Sequence, residues 1–193
     1  MSRRQRTFIG PQGMGGLVSM WGVSSLIKSV QRGTITLTGA ATGTATITSV
    51  ATENAVLMYL GNTCDVAAST DSQLAWCRVS LTNATTITAT RQNVTGNCVV
   101  AFEIIEYLPG VIKSIQIGTV SIANLTASNT AAITGVNTEK SVLMYLGAQV
   151  QNTTGNTIDS WNRLTLTNAT TITATRIGTA SINQIGYQIV ECF

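Results

Sequence analysis

The sequence predicts an all-β protein: two tandem, homologous antiparallel β-sandwich modules behind an extended N-terminal arm. Three observations carry that prediction. The first is an internal repeat. Leu-Thr-Asn-Ala-Thr-Thr-Ile-Thr-Ala-Thr-Arg runs from Leu81 to Arg91 and returns unchanged from Leu166 to Arg176, 85 positions later. Val-Leu-Met-Tyr-Leu-Gly likewise occupies Val56–Gly61 and Val142–Gly147. The second is composition. Thr, Ala, Ile, Val, Asn and Gly dominate, while charged residues are only 10% and aromatics 5%. β-Branched side chains suit a pleated surface better than a helix. The third is punctuation: short apolar or alternating runs separated by Asn, Gly and Pro. A period of 85 residues exceeds that of solenoid repeats, so each copy reads as a small domain with its own core.

The boundaries follow as 1–26 for the arm, 27–110 for the first module and 111–193 for the second. In the first module, strands are expected at Lys28–Thr38, Gly43–Val50, Val56–Leu60, Leu74–Thr82, Thr85–Arg91 and Cys98–Tyr107. Their counterparts are Lys113–Ile122, Asn129–Val136, Val142–Leu146, Ser160–Thr167, Thr170–Arg176 and Ala180–Cys192. The continuous apolar run at Val56–Leu60 reads as a strand covered on both faces. Asn83-Ala84 reads as a short hairpin connection. Within the repeated string, Ile87 and Ala89 share one face and Thr86, Thr88 and Thr90 the other, so the string builds a hairpin with a core side and a threonine side. Leu108-Pro109-Gly110 is a short linker, which holds the copies close in a defined orientation.

The net charge of +3 comes from the arm, where Arg3, Arg4 and Arg6 stand within seven residues; the rest of the chain is neutral. The plain reading is a solvated tail. The sharper one is a docking arm, with those arginines, Phe8, Met20 and Trp21 meeting an acidic protein surface or phosphate. Arginines without interleaved aromatics are a thin basis for nucleic-acid recognition, so no nucleic-acid partner is expected. No signal peptide or membrane span is expected either. Gly13, Gly15 and Gly16 interrupt the apolar stretch after the arginines, and Leu17–Ile27 is too short to cross a bilayer. Assembly in the cytoplasm follows as an expectation. A surface so sparse in charge suggests cover by neighbours, hence a homo-oligomer or a larger assembly.

The cysteines are Cys64, Cys77, Cys98 and Cys192, and the second copy does not share them: Asn162 matches Cys77, Asn183 matches Cys98, and Tyr107 of the first copy matches Cys192. Buried free thiols are the default reading, and a Cys64–Cys77 bridge, or a bond formed after release into an oxidising medium, is the alternative. Trp76 and Arg78 share a strand face, as do Trp161 and Arg163. They either brace each module or anchor an interface, where Trp and Arg are favoured.

Catalysis is argued against by composition. The chain has no histidine, no lysine in a catalytic motif, and no glycine pattern that would cradle phosphate. Glu106 and Glu191 match between copies near a strand end, which suits a structural role. No cofactor, metal or catalytic residue is expected.

Several elements resemble a group of tailed-bacteriophage virion proteins. They are Ile27-Lys28-Ser29-Val30-Gln31-Arg32-Gly33-Thr34-Ile35, its counterpart Ile112-Lys113-Ser114-Ile115-Gln116-Ile117-Gly118, and the closing Val100-Ala101-Phe102-Glu103-Ile104-Ile105-Glu106-Tyr107. The resemblance spans residues 27–193; Ile117 in place of Arg32 and Cys192 in place of an aromatic depart from it. It implies a non-enzymatic virion protein that contacts the major capsid protein or other virion proteins. The first expectation is a capsid decoration (cement) protein that clamps neighbouring subunits. The alternative is a neck, collar or tail-fibre component that attaches to the tail or to a host-surface receptor. A lectin-like binding module ranks below both, because aromatic platforms are scarce.

Overall fold

The computed structural model describes residues 26–65, 75–152 and 157–193. Among the described residues every long element is a strand, joined by turns and single turns of 3₁₀ helix. The first copy contributes β1 (Ile27–Thr38), β2 (Thr42–Thr46), β3 (Ala55–Cys64), β4 (Cys77–Asn83), β5 (Thr86–Arg91) and β6 (Asn97–Tyr107). The second contributes β7 (Ile112–Ile122), β8 (Ser128–Ala132), β9 (Ser141–Asn152), β10 (Arg163–Asn168), β11 (Thr171–Thr175) and β12 (Ser181–Cys192). All the strand pairings are antiparallel.

Pairing repeats with the sequence. The order β1-β6-β3 recurs as β7-β12-β9, and β2-β5-β4 as β8-β11-β10. One difference breaks the repetition. β4 of the first copy pairs with β9 of the second, so a six-stranded sheet, β2-β5-β4-β9-β12-β7, runs through both copies. The expected separate sheets therefore merge along one edge.

Alternation explains the cores. Ile35 and Leu37 of β1, Val79 of β4, Ile87 and Ala89 of β5 and Val100, Phe102 and Ile104 of β6 lie between the first copy's two sheets, with the intervening residues outward. Val120, Ile122, Ile172, Ala174, Ile185 and Tyr187 do the same in the second. Each fully buried Ile or Leu contributes about 1.5–3 kcal/mol relative to exposure. Two glycines are placed by packing. Gly33 lies opposite Phe102, whose ring would stand 2.8 Å from a Cβ there, and Gly118 lies opposite Tyr187 in the same way.

Two expected strands end four residues before the pattern suggested, and Ser160–Thr167 starts late, at Arg163. Gly43–Val50 leaves the ladder at Thr46, yet the Ile47 and Val50 N–H groups donate to Thr85 O and Ala84 O. Asn129–Val136 leaves at Ala132, and Ile133 and Val136 make the matching bonds to Thr170 O and Ala169 O. The apolar pattern continued because these residues still pack inward. The hairpin connection is held by Asn83 Oδ1, which accepts from Thr85 N–H at 2.9 Å, and Asn168 repeats it on Thr170.

Candidate interface site

The Lys-Ser-x-Gln segments of β1 and β7 and the glutamates of β6 and β12 form a set of clasps. Glu106, at the end of β6, accepts from Lys28 Nζ at 2.8 Å, Ser29 Oγ at 3.2 Å and the Ala51 N–H at 2.9 Å. Glu191 accepts from Lys113 Nζ at 2.8 Å, Ser114 Oγ at 3.1 Å and the Asn137 N–H at 3.0 Å. Burial pushes the Glu106 carboxyl up, but the Ala51 N–H, Lys28 and Ser29 together outweigh it and hold the carboxyl below its ordinary value. Lys113 and the Asn137 N–H hold Glu191 low in the same way. Gln31 adds a two-way clasp on Thr48, donating to its carbonyl and accepting from its N–H; Gln116 repeats it on Thr134. Lys and Ser at i and i+1 meet the glutamate of the neighbouring strand, while that glutamate and the Gln at i+3 hold the loop.

The repeated string ends in arginine for a reason its alternation did not reveal. Arg91 is fully buried and donates to the carbonyls of Leu37, Ala40, Val94, Thr95 and Gly96 and to Cys98 Sγ at 3.1 Å. Arg176 gathers the carbonyls of Ala123, Thr126, Asp159, Thr179 and Ser181, together with Ser181 Oγ. A five-donor guanidinium can tie several chain segments at one point, which lysine could not do. The only sequence signal was the exact conservation of the string through its final arginine in both copies.

Beside each arginine the copies differ. The structure joins Cys64 to Cys98, which overturns the default reading of free thiols for these two and replaces the alternative Cys64–Cys77 pairing. The reason is register: Cys64 and Cys98 are direct cross-strand partners on β3 and β6, whereas Cys77 lies on β4 in the facing sheet. Cys77 keeps a free, buried thiol, and the three sulfurs lie within 4.8 Å of one another. Burial pushes the Cys77 thiol up to about 11, and Arg91 pulls it back only in part. The neutral thiol is therefore a packing group at ordinary pH. Cys192 is also free and is partly exposed.

Trp76 and Arg78 stand at the junction between the copies. Trp76 packs against the second copy's core and meets Trp161 edge-on, with ring centroids 5.3 Å apart. Arg78 pairs with Gly147 where β4 joins β9, and burial lowers the pKa of its guanidinium. Tyr59 meets its counterpart Tyr145 at 6.3 Å, also edge-on. Leu146 is inserted into the first copy's core. Gln188 closes the contact from β12: its Oε1 accepts from the Leu57 N–H at 2.9 Å and its Nε2 donates to Ala55 O at 3.2 Å. Val56, Ile112 and Val190 form a small shared cluster, and beside it an apolar cleft of about 390 Å³ is lined by Met58, Ile105, Val142 and Met144. Trp161 and Arg163, by contrast, are exposed.

The remaining expected docking residues, Arg3, Arg4, Arg6, Phe8, Met20 and Trp21, lie outside the described residues. Among the described residues no helix is long and apolar enough to cross a membrane. The fold and these contacts define an all-β sandwich protein with an extensive contact between sequence-related halves. No protein-family model matches the chain, and neither does a curated protein or a solved structure.

Proposed function

We propose that the protein is a non-enzymatic structural component of a tailed-phage virion, assembled in the host cytoplasm. In this reading it is a capsid decoration protein: an N-terminal arm and two homologous β-sandwich modules clamp neighbouring capsid subunits. The observation that carries the reading is how the polar groups of the phage-like motif are used. Lys28, Ser29, Gln31 and Glu106, with Lys113, Ser114, Gln116 and Glu191, are engaged in tying β1 to β6 and β7 to β12 and in holding the adjoining loops. Such saturation suits a rigid scaffold whose partners are proteins. Cryo-electron microscopy of the assembled particle tests it. Density for the chain lying across capsid subunits is expected; density at the portal or tail overturns the decoration reading in favour of a neck or tail component. Deleting residues 2–20 is expected to leave a folded protein that no longer joins particles, measured by particle purification and mass spectrometry. Full incorporation of the truncated chain would defeat the role given to the arm.

A further inference from the structure

Cys64 on β3, Cys77 on β4 and Cys98 on β6 bring three sulfurs to one corner of the first copy. They are spread over 34 positions and come from both of that copy's sheets, so only the strand register unites them. The bridge uses two of the sulfurs, and the corner itself requires none. The second copy closes the same corner with Val150, Asn162 and Asn183 at the matching positions. In the bridged form the third sulfur only packs.

Charge gives a second sign. Arg91 is fully buried, and the partners it donates to are carbonyls and the Cys98 sulfur. The carboxylate on which it acts, Asp65, is exposed and tied to Asn97. Its counterpart Arg176 has the buried carboxylate of Asp159 close enough to act on its charge. The first copy carries Leu74 at the place of Asp159 in the sequence. A buried cation is costly without an anion nearby, and thiolates at this corner would supply one.

We propose that the reduced chain binds one divalent thiophilic cation of the zinc type through the sulfurs of Cys64, Cys77 and Cys98. Three thiols release three protons and form three sulfur–metal bonds. The product carries one negative charge, which the Arg91 guanidinium balances; a monovalent soft ion would leave two. Around an ion with zinc–sulfur bonds of about 2.3 Å, thiolates stand about 3.8 Å apart. The three sulfurs already lie within 4.8 Å of one another. Arg91 Nη1, 3.1 Å from Cys98 Sγ, and Asn62 Nδ2, 3.3 Å from Cys64 Sγ, are donors that orient thiolates and draw off part of their charge. Cys77 and Cys98 are fully buried, whereas Cys64 is partly exposed and lines an open cleft of about 250 Å³ with Asp65 and Asn97. The ion enters from that side, where a water completes its fourth position.

The bridge and the cation exclude one another, because both use Cys64 and Cys98. A small-molecule disulfide, acting as oxidant, converts one form into the other. Cys64 and Cys98 give up two electrons and join, Cys77 takes up a proton, and the cation leaves. The oxidant takes the two electrons and two protons and becomes two thiols.

The test is a zinc titration of the full chain, reduced by a phosphine in chelator-stripped anaerobic buffer and weighed by native mass spectrometry. One zinc per 20.3 kDa chain is expected, with a melting temperature that rises with zinc concentration. Cadmium in place of zinc should give a sulfur-to-metal charge-transfer band. Cys77→Ala should keep its bridge and its oxidised fold by circular dichroism, while zinc affinity of its reduced form falls about a hundredfold or more, beyond the loss of a merely orienting partner. Cys64→Ser, at the partly exposed position, carries the same expectation should Cys77→Ala misfold. Cys192→Ser should bind like wild type, and the oxidised chain should bind no zinc. Reduced wild type that takes up no zinc overturns the proposal. So does uptake that survives in both Cys77→Ala and Cys64→Ser, or uptake that is equal in the oxidised chain or lost in Cys192→Ser. None of these results bears on whether the chain joins a virion.

Discussion

At the same corner of the two copies, one holds sulfurs and the other holds amides. The first has the Cys64–Cys98 bridge with the Cys77 thiol beside it. The second has Val150 opposite Asn183, with Asn183 donating to Asn162 Oδ1 at 2.8 Å and to Asp159 O at 2.9 Å and accepting from Ser181 Oγ at 2.8 Å. An arginine at the end of the repeated string organises both corners. The difference separates what the fold requires from what it tolerates. The guanidinium that collects carbonyls is common to both; the filler beside it is covalent in one and hydrogen-bonded in the other. Either solution leaves few polar atoms without a partner, which is the condition a buried corner must meet.

The comparison can be broken most severely through the shared element. Arg91→Met and Arg176→Met should each cost about 3 kcal/mol or more, because several buried carbonyls lose their donor at once. Urea unfolding measures the loss. If one arginine proves dispensable, the corners are not built on the same principle. Reduction comes next and should act on one corner only. Opening the Cys64–Cys98 bond, which closes a loop of sequence separation 34, should cost about 2–4 kcal/mol. Melting with and without reductant reads the effect. The Cys98→Ser chain should melt like reduced wild type and be insensitive to reductant; a reductant-dependent shift in it would show that the cysteines pair differently.

The smallest effect concerns the carboxylates that both copies share. Glu106 and Glu191 are held below their ordinary value of 4.5, so their contribution to stability is fully present above that value. It is lost as pH falls through the lowered values of the folded state. Melting temperature should therefore decline below pH 4.5, and the Glu106→Gln/Glu191→Gln chain should start lower at neutral pH and decline less steeply. An equally steep decline in that double variant would assign the acid sensitivity to other groups.

Much of the fold was legible in the sequence. Strand positions, the hairpin at Asn83-Ala84 and the inward set Ile87 and Ala89 followed from alternation, because a strand's side-chain period is a local property. The roles of Glu106 and Glu191 were legible in part, through their matching positions. Trp76, Arg78, Trp161 and Arg163 were recognisable as a set, but not that Trp76 and Trp161 would meet each other while Arg163 stayed exposed.

By itself the sequence determined the all-β class, the duplicated strand order and the threonine and apolar faces, since these depend on residue type and spacing along the chain. Only the tertiary structure decided which cysteine faces Cys64, what Arg91 and Arg176 collect, and that identical hexapeptides bury Leu146 and expose Leu60. The physical reason is that identical strands have identical propensities but not identical neighbours. Burial, pairing and partner choice belong to the neighbours, and those are fixed only when distant segments meet.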